Sequence, residues 1–385
     1  MRFALVLLVH QSAAKTTSNL FCACDWASGV AVETSELHLA IIAGGQGPNC
    51  TNSSAAAGRN LTSAASGVML DTVNVYNTRD TTWKLLHLPS GSRSYLAAAA
   101  AGSKAYFAGG EVRTAKGTFS FDGIDIYDFN DSGWSTAKLS VPRKKLAAVT
   151  VGNVIMFAGG FDDTTNTNFS TRVDILDVKT GDWSTAELTT PRMYFAAAAV
   201  DGVAVMGGGQ YQLGKHPDTA TYDMYDSTTG TWSNGMLPSG HARDKLAATW
   251  ARNAKREGLL IFVGGGSVDM YNVRTKQWTN STDIVNRGGN LAAATIDAGR
   301  YALFMGGTGA VRDAVAVYDA VDELWFLAQN MSTGRSYLDA AGTGEAAIVG
   351  GGAGAGGILS TVDIYTVADM QHSKRAWLAQ AKHRK

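Results

Sequence analysis

Apolar positions along the chain gather into short runs that end on paired glycines, and these runs recur. The copies are IIAGG ending at Gly45, YFAGG at Gly110, MFAGG at Gly160, VMGGG at Gly209, IFVGGG at Gly266, LFMGG at Gly307 and IVGGG at Gly352. A loop of variable length follows each, then an alternating, mostly β-branched segment that usually ends in tyrosine. These segments are VNVY to Tyr76, IDIY to Tyr127, VDIL to Leu176, YDMY to Tyr225, VDMY to Tyr271, VAVY to Tyr318 and VDIY to Tyr365. Seven residues later stands a tryptophan, at Trp83, Trp134, Trp183, Trp232, Trp278 and Trp325, with the seventh displaced to Trp377. The unit then returns to an arginine and an alanine-rich run, as in Arg93-Ser94-Tyr95-Leu96-Ala97.

Period-two alternation of β-branched residues fits a pleated, half-buried strand. The links before tryptophan, such as DSTTGTW, are turn-rich and of hairpin length. The alanine runs favour helix by propensity, but they are too short for a stable helix and recur in register with strands. Each unit therefore predicts four short strands. The whole predicts an all-β fold, a seven-bladed β-propeller of four-stranded antiparallel blades, with six blades as the alternative. Small side chains suit the crowded innermost strand, while tyrosine and tryptophan fill the widening wedge between blades. This order of hydrophobics, Gly-Gly, spaced tyrosine and tryptophan resembles the kelch repeat over roughly residues 30 to 377. The resemblance implies a ring closed by strands from both termini. That would account for a first blade without an arginine-bearing strand and a last one without tryptophan at the usual spacing.

Composition sharpens the picture in three places. Glycine outnumbers proline 44 to 6, as sharp turns in an all-β chain require. Lys and Arg number 33, as do Asp and Glu, so bulk charge points to neither nucleic acid nor an anionic membrane as partner. No later segment is long and apolar enough to span a membrane, and a monomer is expected. At the N-terminus, Arg2, the apolar run Phe3 to Val9 and Ser12-Ala13-Ala14 have the order of a secretory signal. Residues 1–14 are thus expected to be a signal peptide and 15–385 one propeller; the alternative is that the apolar run is an ordinary strand. Sequons at Asn49, Asn52, Asn60, Asn130, Asn168, Asn280 and Asn330 add to the expectation of a secreted glycoprotein, a cytoplasmic protein being the alternative. Cys22, Cys24 and Cys50 allow one bridge, from Cys50 to either of the others.

Candidate chemistry is sparse. Gly352-Ala353-Gly354-Ala355-Gly356-Gly357 matches GxGxxG, yet it runs into VDIY, a strand of the repeat, where a dinucleotide site needs a helix. The histidines show no metal spacing; His216 and His241 flank the fourth blade and could meet in space. There is no GxSxG, and Asp162-Asp163 reads as loop surface. Some kelch-like propellers are copper oxidases with a cysteine-linked tyrosine, but every cysteine here precedes residue 51. No catalytic residue, metal or cofactor is expected.

What remains is one face, onto which the loop after the second strand and the loop before the first both open. The former group, 46–71, 111–122, 161–171 and 210–221, is long and variable, as binding loops are. The latter carries Arg93, Arg143, Arg192, Arg243, Arg287 and Arg335, followed two residues on by Tyr95, Lys145, Tyr194, Lys245 and Tyr337, with Asn290 one step out of register. One reading is a binding ring of Arg93, Tyr95, Arg143, Arg192, Tyr194, Arg243, Arg287, Arg335 and Tyr337, suited to carboxylates of peptides or acidic sugars. The resemblance supports it, since kelch relatives that bind acidic peptides use arginines here. The other reading is structural, each arginine bonding loop carbonyls or neighbours such as Asp244 and Asp339. The expected function is a non-catalytic module that binds a protein or glycan, acidic in character, on this face. The alternative is a propeller enzyme, such as a carbohydrate-active oxidase or sugar isomerase, with its site at the axis mouth.

Overall fold

The computed structural model describes residues 17–19, 27–47, 68–164, 168–212, 218–282, 285 and 288–382. Its strands form seven four-stranded antiparallel sheets, so the blade count is seven and not six. The innermost strands are Ser28–Glu33, Ala97–Ala101, Ala147–Val151, Ala196–Val200, Ala247–Arg252, Leu291–Ile296 and Asp339–Gly342. Each of these touches the next, and the last touches the first, so they close into a ring about one axis. Seven apolar clusters, one between every pair of adjacent blades, hold that ring. The seam between blades seven and one is packed like the others, with Ala40, Ile42 and Tyr76 against Ile348, Val362 and Ile364.

Blade seven shows how the ring shuts. Its sheet runs Asp339–Gly342, Ala346–Gly350, Thr361–Thr366 and then Thr17–Asn19, the outer strand supplied from the far end of the chain. Thr17 faces Asp363, Ser18 faces Val362 and Asn19 faces Thr361. Trp377 is therefore not a displaced strand residue. It lies on a C-terminal helix, Val367–Lys382, where it packs against the core between blades six and seven. The Gly352–Gly357 stretch forms a small hairpin, Ala353–Gly354 with Gly357–Ile358, and leads into a strand.

Two features of the repeat acquire physical reasons. The seven-residue spacing places tyrosine and tryptophan opposite each other on neighbouring strands, with ring centroids 4.8 Å apart for Tyr76–Trp83 and 4.9 Å for Tyr127–Trp134. The third blade has Leu176 in place of the tyrosine, and Trp183 stacks instead on Phe157 at 6.2 Å. The paired glycines join one blade to the next. Gly109 and Gly110 have φ of 63° and 104°, and Gly110 donates its N–H to the carbonyl of Arg143 at 2.9 Å. A Cβ on Gly109 would sit 2.4 Å from that carbonyl, so only glycine fits.

Candidate functional site

The arginines come first, because the structure corrects the expectation placed on them. Arg93, Arg143, Arg192 and Arg335 are fully buried and Arg243 nearly so. Each guanidinium turns into its own blade and pairs with the aspartate of the third strand: Arg93 with Asp125, Arg143 with Asp174, Arg192 with Asp223 (2.8 Å), Arg243 with Asp269 and Arg335 with Asp363. Further N–H groups bond strand-end carbonyls, as Arg143 does with Gly159 and Arg172, both at 2.7 Å. The aspartate's second oxygen accepts from the link ahead of the arginine: Ser90 Oγ on Asp125, and the N–H of Ser140, Thr189 and Ser239 on Asp174, Asp223 and Asp269. None of these five arginines can reach a ligand on the face. Their partners are not Asp244 and Asp339. Asp244 pairs with Lys245 at 2.7 Å. The sequence held a signal for this latch, since the five copies with aspartate in the tyrosine segment are the five whose arginines are buried here. Blade one has Asn74 and blade six Ala316 at that position. Arg287, in blade six, lies outside the described residues, as do His216, the three cysteines and residues 1–14.

Two residues beyond these arginines, and three beyond Arg287, the chain turns inward. Tyr95, Lys145, Tyr194, Lys245, Asn290 and Tyr337 all adopt left-handed backbone, with φ between 53° and 60°. That turn aligns their peptides around the axis. Lys145 N–H bonds the carbonyl of Tyr95 (2.9 Å), Lys245 that of Tyr194 (2.7 Å) and Asn290 that of Lys245 (2.7 Å). Tyr194 N–H reaches Lys145 and Tyr337 N–H reaches Asn290 at 3.4 and 3.2 Å. The six side chains line a cavity of about 270 Å³ at the axial mouth, floored by Leu96, Leu146, Phe195, Leu246, Leu291 and Leu338.

The mouth has a charge pattern. Lys145 Nζ lies over the rings of Tyr95 and Tyr194, 5.2 and 4.8 Å from their centroids, and makes no ion pair among the described residues. Burial, with Lys144 beside it, holds its pKa below the usual lysine value. Lys144 itself turns away to Glu111 (2.6 Å) and Asp163 (3.3 Å). Burial pushes the Tyr194 phenol up to about 12. Across the cavity stands Asp339, half-buried, accepting N–H from Gly29 and Ala340. Burial pushes its carboxyl up to about 7, against the pull of those two N–H groups. Asp339 is the site residue whose role the sequence reading missed. It heads the innermost strand, where the strand registers put Ala97, Ala147, Ala196, Ala247 and Ala292 in other blades, and an acid in an alanine column is a readable signal.

Around the mouth, exposed apolar side chains sit on the loops after the second strands: Val68, Phe119, Tyr211 and Val311. The other candidates resolve into local roles. His241 Nδ1 lies 3.3 Å from Ser267 Oγ, and Asp162 binds the hydroxyl and N–H of Thr164. No group of three His, Cys, Asp or Glu among the described residues is arranged to hold a metal. No helix among them is long and apolar enough to cross a membrane.

Fold and site thus define the class: an all-β, seven-bladed propeller with a lined axial mouth. No family model matches the chain, and no curated protein does. Many solved structures share the fold. That of YjhT superposes with a TM-score of 0.55 at 13% identity, over 91% of this chain and 96% of the other, a likeness of fold alone.

Proposed function

We propose that the protein is a kelch-type propeller acting as a non-catalytic, secreted binding module, with a protein or glycan partner seated on the loop face over the axial mouth. The observation that carries this reading is the ring of Tyr95, Lys145, Tyr194, Lys245, Asn290 and Tyr337 around its cavity, contributed by six different blades and rimmed by apolar loop tips. Aromatic side chains anchored at the centre of a pocket are what binding hot spots use. Such a surface binds without needing a nucleophile or a metal. The test is binding to glycan and peptide arrays by the wild type, the Tyr95→Ala/Tyr194→Ala double variant and Trp183→Ala on the outer edge. Ligands kept by Trp183→Ala and lost by the double variant are expected; ligands indifferent to the mouth would overturn the reading.

The second reading, a propeller enzyme with its site at the same mouth, draws on one observation. Asp339 and Lys145 are titratable groups with shifted pKa values in one cavity, as in many active sites. An oxidase would retain stoichiometric copper on metal analysis, and an isomerase would turn over a sugar that a binding module only holds.

A further inference from the structure

The charges in the axial cavity are separated. Lys145 belongs to blade three and Asp339 to blade seven, as far apart as two positions in a seven-membered ring can be. Between them on one side lie Tyr194, Lys245 and Asn290, on the other Tyr95 and the main chain of blade one. Lys245 is already engaged by Asp244 at 2.7 Å, and Lys145, over the rings of Tyr95 and Tyr194, is the cation of that wall without an ion pair among the described residues. A small anion drawn to Lys145 would leave Asp339 facing it unpaired, and an amine drawn to Asp339 would leave Lys145 so. Either arrangement buries an uncompensated charge, which is costly once water is displaced. A neutral polyol can hydrogen-bond both but compensates neither charge. One chemistry satisfies both ends.

We propose that the axial cavity binds a small zwitterion, an amino acid whose carboxylate meets Lys145 and whose ammonium meets Asp339 and the phenol of Tyr337, with its methylenes across the tyrosine faces. This rests on the mouth being the binding site. The cavity, about 270 Å³, lies below the roughly 300–1,000 Å³ of pockets for drug-sized ligands, so the occupant is short. The separation of charges around the ring favours an ω-amino acid over an α-amino acid. Among the described residues, the groups facing Asp339 are Tyr337 on its own segment, the Gly29 amide of blade one, Asn290 of blade six, and Lys145, Lys245, Tyr95 and Tyr194 across the cavity. Of these only the lysines are cationic, and an incoming ammonium adds to their preference for the ionised carboxylate. Because that carboxyl titrates near neutrality, zwitterion affinity rises from about pH 6 to about pH 8, while the ligand's amine stays charged.

Calorimetry on the full chain tests this with glycine, 4-aminobutyrate and 6-aminohexanoate, and with hexanoate and hexylamine as single-charge controls. One zwitterion should bind at least about tenfold tighter than both controls. Lys145→Gln and Asp339→Asn should each reduce that advantage to about twofold, and Asp339→Asn should also flatten the pH dependence. Asp339→Ala, which installs the residue of five other blades, serves if the asparagine variant folds poorly. Zwitterions no tighter than the controls, or an advantage that survives both substitutions, would overturn the proposal. If array ligands still depend on Tyr95 and Tyr194 while zwitterions fail, only the zwitterion assignment falls; if neither binds at the mouth, both readings fall.

Discussion

At the scale of single residues, two acids with opposite environments make opposite predictions. Asp223 is buried, paired with Arg192, and also accepts from Thr189. Removing one partner strands the other charge in the core, so Arg192→Met or Asp223→Ala should each cost about 3–5 kcal/mol in chemical denaturation. The double variant should cost less than the sum, because neither charge then remains unpaired. Asp339 behaves otherwise. Its folded carboxyl is raised to about 7, so the folded state holds a proton the unfolded chain gives up near pH 4. Ionisation works against folding, and the penalty grows as pH rises from about 4 to about 7 and is constant above. Asp339→Ala should therefore stabilise the protein at pH 8 and change it little at pH 4, read as melting temperatures across that range. A wild-type curve and a variant curve that run parallel would show that the carboxyl keeps an ordinary pKa at the mouth.

At the scale of elements, the blades were legible in the sequence and the helix was not, for a physical reason. A strand of this fold repeats, so seven imperfect copies reinforce one another, and the tyrosine–tryptophan spacing is a direct image of cross-strand register. Val367–Lys382 occurs once, and Trp377 at its centre invites the wrong comparison. Its own signals are local. Thr366 and Asp369 form a capping pair in which Thr366 Oγ1 accepts from the Asp369 N–H while the Asp369 carboxylate accepts from the Thr366 N–H (2.8 Å). Lys374 then ties the helix to blade six by bonding Asp319 (2.7 Å) and Asp322, with Arg300 on the same acids. Burial opposes the charge on Asp319, but the bonds from Lys374 and Arg300 outweigh it and hold its pKa below the usual value. A depressed carboxyl stabilises the fold above its unfolded pKa of about 4 and ceases to as pH falls through the lower folded value. Thr366→Ala should cost about 1 kcal/mol of helix docking. Lys374→Met should speed hydrogen exchange across 367–382 at pH 7 and narrow the gap between pH 7 and acid. The same contrast governs the site. The ring positions could be found by counting from the arginines. That the arginines turn into their own blades is written only across copies, because each partner lies about thirty residues on, in the third strand, and shows as the aspartate that five tyrosine segments share.

At the scale of the molecule, everything above depends on a closed ring, and its closure is the least redundant contact in the fold. Six blades take all four strands from one stretch of chain, while blade seven borrows Thr17–Asn19. That strand lies beside Thr361–Asp363, and Asp363 is the acid that holds Arg335. Losing it would expose the edge of the third strand and bring water next to a buried ion pair. The chain of backbone bonds at the mouth runs from Tyr95 round to Tyr337 in blade seven, so a loosened blade seven also loosens the wall that carries Asp339. A chain beginning at Lys15, the product expected from cleavage after Ala14, retains the strand; one beginning at Phe21 does not. The few ladder bonds at stake, worth about 1 kcal/mol each, predict a melting temperature lower by roughly 3–5 °C for the shorter chain. It should also associate through the bared edge, seen as a larger species in light scattering that the longer chain does not form. A synthetic peptide covering residues 15–20 should restore the monomer if strand loss is the cause. Equal melting temperatures for the two chains would mean that the inner strands and the seam of Ile42 against Ile348 close the ring without it.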